Sequence, residues 1–199
     1  MVQSLLLGLL ATLVYASFAE WFVHRVGMHT EYLSKWAFRR HAIQHHAQRR
    51  SVKTFYAGEH DPEPYVIWDS SSVPLLWVAH FPLYWVVWTF VNPAASVGVA
   101  IGAGMYVAAY EWMHFMIHHP RHYWFQRSRL WEWYCEYHRL HHHRARWNYN
   151  VVCPLADWVL GTISMEPLPP EPSAPEGMPR RTGPASVFAR QVPENVPGD

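Results

Sequence analysis

Residues 70–110 read SSSVPLLWVAHFPLYWVVWTFVNPAASVGVAIGAGMYVAAY, a stretch without one Asp, Glu, Lys or Arg. A helix needs about 20 mostly apolar residues to cross the hydrocarbon core of a bilayer. This stretch is long enough for two, and it is broken near its middle by Asn92-Pro93, a turn-forming pair. It therefore predicts two membrane-crossing helices joined by a tight turn. Trp77, Tyr84, Trp85 and Trp88 crowd the first of them, as suits lipid and its interfaces. His80 lies inside that span and reads as a packing or hydrogen-bonded residue whose substitution leaves most activity intact. Upstream, residues 1–19 are also uncharged, and a first span is expected from about Leu5 to Val23. A cleaved signal peptide would carry a basic segment ahead of the apolar run, and none precedes this one. The expected fold is all-α: an integral, multi-pass membrane protein with about three transmembrane helices.

Three crossings place residues 24–69 and 111–199 on the same side. All 16 Lys and Arg fall in those segments, from Arg25 to Arg190. By the positive-inside rule that side is the cytoplasm, and the Asn92-Pro93 turn faces away from it. The membrane in question is a bacterial inner membrane or that of the endoplasmic reticulum. A formal net charge of +1 gives nucleic acid no electrostatic handle. Cys135 and Cys153 supply no disulfide framework. Beyond Gly161 the composition changes, with nine of the 16 prolines between Pro167 and Pro197. Residues 1–162 are thus expected to form the membrane-embedded domain, and 163–199 a Pro-rich, disordered cytoplasmic tail. Gly98, Gly102 and Gly104 form a small-residue stripe on the third span, read as a helix-packing face in preference to a slot for an acyl chain.

The chain holds 15 histidines, and their grouping carries the chemistry. His24 and His29 follow the first span. His41, His45 and His46 come next, His114, His118 and His119 end the third span, and His138, His141, His142 and His143 lie beyond it. Single histidines such as His60, His80 and His122 are read as hydrogen-bonded or packing residues. Residues three or four apart share a helix face, so His114 with His118, and His138 with His141 and His142, can each converge on a metal. His24 and His29 stand about 140° apart on an ideal α-helix. They need either a helix end near Gly27 or different metals. One ion takes four to six ligands, and ten well-spaced imidazoles exceed that, so two metals are implied. A metal-bound imidazole usually gives its other N–H to a carboxylate or carbonyl. Glu20, Glu111 and Asp157 are candidates for that role, with Asn148 and Asn150 as amide partners.

The boxes His24-Arg25-Val26-Gly27-Met28-His29, His41-Ala42-Ile43-Gln44-His45-His46, His114-Phe115-Met116-Ile117-His118 and His138-Arg139-Leu140-His141-His142 resemble the fatty acid hydroxylase and sterol desaturase superfamily. The run from Asn148-Tyr149-Asn150 through Ala156-Asp157-Trp158 to Gly161-Thr162 is similar to the segment after that family's last box. The resemblance covers about Glu20 to Thr162. It implies a membrane-bound di-iron oxygenase with two non-haem Fe ions, Zn being able to replace them in a purified protein. O2 is the implied co-substrate. A lipid substrate, such as a fatty acyl chain or sterol, is hydroxylated or desaturated with electrons from an external donor, cytochrome b5-like or a ferredoxin. The implied ligands are His24, His29, His41, His45, His46, His114, His118, His138, His141 and His142, gathered in a cytoplasmic histidine-rich helical cap. Two features depart from the common pattern: one span precedes the first box where a hairpin is usual, and the second box is HxxxHH.

Within the same chemistry, a carotenoid hydroxylase is the alternative: such enzymes also carry an HxxxxH first box, and a short chain suits them. Two readings from other classes fit less well. A histidine-rich metal transporter would place ligands and acids at the bilayer midplane, where these spans hold only His80. A soluble ferritin-like di-iron protein would need two ExxH motifs, and only Glu111-Trp112-Met113-His114 fits.

Overall fold

A computed structural model describes residues 1–56, 77–121 and 123–168. His60, His122 and the Pro-rich stretch from residue 169 onward lie outside the described residues. The regular secondary structure among the described residues is helical, with no strand. Helix α1 (Val2–Phe22) continues without a break into a π-helical turn, Val23–Met28. Short helices follow at α2 (Lys35–Phe38), a second π-helical segment (Arg39–His45), α3 (His46–Arg49) and α4 (Val52–Phe55). Then come α5 (Phe81–Phe90), α6 (Pro93–His118), a 3₁₀ turn (Trp124–Arg127), α7 (Arg129–His143) and α8 (Leu155–Val159).

Two of these are long and apolar enough to cross a membrane: Val2–Met28 and Pro93–His118. They run in the same direction, because Leu5 meets Gly98, Thr12 meets Gly102, Glu20 meets Tyr106 and Met28 meets Tyr110. Small residues make this pairing possible. The buried face of α1 is Gly8, Thr12, Ala16 and Ser17, and a Cβ on Gly8 or Gly98 would strike the facing helix's backbone carbonyl. A Cβ on Gly102 would lie 2.8 Å from that of Thr12. Gly98 and Gly102 are therefore packing residues, and the matching small-residue face on α1 is one that the sequence reading passed over. Gly104 faces the Trp77 indole instead.

Asn92-Pro93 is the expected turn. The Asn92 side chain accepts from Ala95 N at 2.8 Å, and Pro93 opens α6, where a missing N–H costs nothing. Residues 77–90 return antiparallel along α6, with Trp77 Nε1 donating to Ala100 O and Ser96 Oγ to Tyr84 O. Of the expected middle span, α5 has only ten residues, short of a crossing by itself, and the preceding residues 57–76 lie outside the described part. At the other end the described residues run past 162: Ser164 N donates to Asn148 Oδ1, and Arg144 pairs with Glu166 at 3.0 Å.

Candidate metal centre

Because α1 and α6 are parallel, both deliver their terminal histidines to the same end of the molecule. There the side chains form two groups of five. His24, His29, His41, His46 and His141 make one, and His45, His114, His118, His138 and His142 the other; within each, the potential ligand atoms lie within 4.8 Å of one another. The groups adjoin, with the His46 and His142 rings stacked at 4.3 Å. These are the ten histidines singled out from the boxes. His119 and His143 stand outside both groups, His119 stacked on Phe115.

The allocation differs from helical expectation in two ways. His24 and His29 need no helix end. A π-helix bonds residue i to i+5, here His29 N to His24 O at 3.1 Å, and that wider turn brings the two imidazoles into one group, ring centroids 5.1 Å apart. The same device explains HxxxHH: His41 and His46 are also i and i+5 across a π-helical turn and share the first group, while His45 goes to the second. His138, His141 and His142 do not converge on one point either. His138 and His142 share a group, and His141 reaches across to the other.

The nitrogen geometry fits a cation better than a hydrogen-bond network. His41 Nε2 lies 2.8 Å from His24 Nε2, 3.1 Å from His29 Nε2 and 3.2 Å from His46 Nε2. One Nε2 carries at most one proton or one lone pair, so these three approaches cannot all be hydrogen bonds. Metal–nitrogen bonds of about 2.0–2.1 Å put neighbouring ligand nitrogens about 3 Å apart, which matches. In the second group His45 Nε2, His114 Nε2 and His118 Nε2 are buried without a hydrogen-bond partner, an arrangement that costs free energy unless something else satisfies them. Burial, with neighbouring imidazoles adding to it, pushes His41, His45, His46, His138 and His142 well below the usual histidine range. His141 falls to about 4 by burial, with the Trp147 carbonyl and the Asp157 charge pulling the other way. Neutral imidazoles are the form that binds metal.

Backbone carbonyls hold three of the far ring nitrogens, whereas His41, His138 and His142 Nδ1 are buried without a hydrogen bond. His24 Nδ1 bonds Tyr149 O, His141 Nδ1 bonds Trp147 O at 2.7 Å, and His118 Nδ1 bonds Phe55 O at 2.8 Å. An Nδ1–H donated to a carbonyl leaves the Nε2 lone pair free for a metal. This corrects the expectation for the acidic and amide residues, none of which hydrogen-bonds an imidazole. Glu20 accepts from Tyr106 Oη at 2.6 Å, Asn150 Nδ2 at 3.1 Å and Val151 N. Asp157 accepts from Tyr137 Oη, Asn150 N and Thr162 Oγ1, each at 2.6 Å. Asn148 holds Tyr137 O and Ser164 O, with its own backbone at φ 58°. Together they fix the loop that carries the Trp147 and Tyr149 carbonyls. Glu111 has both carboxylate oxygens buried without a hydrogen bond.

A cleft that the sequence did not announce runs between α1 and α6. Ala16, Ala19, Val23, Ala103 and Val107 line it together with His24, and His80 lies on its wall edge-on to Tyr15 at 5.6 Å. His80 thus lines the same cleft as His24.

Residues 9–162 match the fatty acid hydroxylase family, which is most of the chain and includes every histidine of both groups. The chain belongs to that family. No curated protein and no solved structure matches it. Membership of the fatty acid hydroxylase family makes it a membrane protein and an enzyme of oxidoreductase type. Its two apolar helices are the parallel pair that ends at the histidines.

Proposed function

We propose that this fatty acid hydroxylase family member is an O2-dependent, non-haem di-iron lipid oxygenase. The carrying observation is the contact between an apolar, membrane-embedded cleft and a ten-imidazole site capable of holding two ions. Two iron ions held there would supply the oxygen and C–H chemistry. The chain's own residues do the rest. The α1–α6 cleft, with its alanine and valine walls, takes a hydrocarbon chain from the bilayer. His24 belongs both to the cleft and to the first histidine group, so a chain lying in the cleft presents a C–H bond to that group. The Tyr149 and Trp147 carbonyls hold His24 and His141 in the metal-binding tautomer.

The substrate class is an acyl lipid or sterol, and an alcohol is the favoured product over an alkene. Electrons come from an external cytochrome b5-like protein or ferredoxin. The histidine site faces the cytoplasm, on the side where the Lys and Arg cluster.

Expression in a host supplied with iron and an electron donor, followed by lipid mass spectrometry, tests the reading. A membrane lipid should gain one oxygen atom, and His114→Ala and His142→Ala should abolish the product. An active pair of variants would overturn the assignment.

A further inference from the structure

After the last histidine box the chain turns back along α1. Ser17 Oγ donates to Cys153 O at 2.7 Å and accepts from Ala156 N at 3.0 Å, and Asn150 Nδ2 donates to Ser17 O at 2.8 Å. Ser17 belongs to the uncharged run of residues 1–19, about one and a half turns inside the end of α1, roughly 8 Å by helical rise. Residues 153–156 therefore lie beside the apolar part of a membrane-crossing helix, not beyond its end. The segment climbs out again to Thr162, whose Oγ1 accepts from Trp21 Nε1 at 2.8 Å.

Irregular backbone survives at membrane depth only where its polar groups are satisfied by protein. On both sides of α8 the backbone here is held by protein groups. Asn150 N and Val151 N are taken by Asp157 and Glu20, Ala156 N by Ser17, and Asp157 N by Asn150 Oδ1. Leu160, Gly161 and Thr162 N go to Ala156, Trp158 and Asp157 carbonyls. A loop in water needs no buried carboxylates to hold its amides. The outer face is the reverse, with Trp158 70%, Val159 54% and Leu160 45% exposed. Three consecutive exposed apolar residues at the end of α8, on a segment whose inner side carries these hydrogen bonds, call for an apolar neighbour.

We propose that Cys153–Thr162 is a re-entrant element whose Trp158-Val159-Leu160 face is immersed in the lipid of the leaflet next to the histidine site. The tryptophan suits that depth, since indole rings favour the membrane interface. The inference uses only the membrane placement of α1 and stands apart from the proposed reaction. It gives Glu20 and the buried Asp157 a physical role: they hold Val151 N and Asn150 N, the amides of the turn that leads into the element.

The test places a benzoylphenylalanine photocrosslinker at Trp158, and in a second protein at exposed Arg146, in the full-length chain in phospholipid nanodiscs. Metal content is measured to verify that each variant retains its site. After irradiation, mass spectrometry should find phospholipid adducts at position 158, and at least a tenfold lower yield at position 146. Equal yields at the two positions, no lipid adduct at 158 in a metal-retaining protein, or adducts there to a second copy of the chain would each overturn the proposal. If substitution at Trp158 costs the metal, the crosslinker moves to Val159, where the same outcomes decide.

Discussion

His41 and His46 lie five residues apart on one π-helical turn and bring their Nε2 atoms to 3.2 Å, while His45, the immediate neighbour of His46, turns to the other histidine group. One segment thus feeds both groups from a box that an α-helix would divide differently. Removing His46 and removing His45 should therefore damage different metal sites. Wild-type protein is expected to hold about two ions per chain. His46→Ala and His45→Ala should each fall towards one, and the double variant towards none, by metal analysis of purified protein. Equal loss of both ions in both single variants would mean that the two groups do not act separately.

Glu20 binds no imidazole, yet it anchors Val151 N and Asn150 on the loop that offers the Tyr149 carbonyl to His24. Glu20→Ala should loosen that carbonyl and weaken metal retention by about 10–100-fold. A chelator competition assay measures it. Glu20→Gln keeps an acceptor for Val151 N and should lie between the two, whereas retention equal to wild type in Glu20→Ala would remove the anchoring role.

Acid should destabilise the metal-free protein through its buried histidines. Their folded-state values lie below the ordinary one of about 6.5, with His141 at about 4. Between those values the unfolded chain binds more protons than the folded one. Stability is therefore fully present above about pH 6.5 and is lost as pH falls towards 4. Thermal unfolding of apo-protein in detergent at pH 7.5 and pH 5 should show the lower Tm at pH 5.

Gly98 touches the Leu5 backbone where α1 and α6 cross. Gly98→Val should force the helices apart at a cost of about 1–3 kcal/mol, read as a lower Tm in detergent. An unchanged Tm would show that the crossing yields more readily than its backbone contacts suggest.

Topology is open to tagging. Reporters at Ser51 and after Asp199 should both read cytoplasmic, and one at Asn92 the opposite side. Opposite readings at Ser51 and Asp199 would separate segments that the shared site requires together.

The ten clustered histidines, the two long apolar helices and the Asn92-Pro93 turn were legible in the sequence, because each depends on local composition or short spacing. Residues 70–110 can avoid water only by crossing lipid or packing inside protein, and Asn followed by Pro favours the N-cap and first position of a helix. The division of the imidazoles into two groups was not legible. It depends on two π-helical turns, and ideal 3.6-residue periodicity assigns His24, His29 and His41 to the wrong faces. Nor could spacing show that the far nitrogens of His24, His141 and His118 are held by carbonyls. A backbone carbonyl carries no residue identity, and the bond from His24 joins residues 125 apart in sequence. Glu20 and Asp157 were noticeable as carboxylates among apolar neighbours, but only the folded chain, by laying residues 149–162 against α1, decided that they serve backbone amides in place of metal-bound rings.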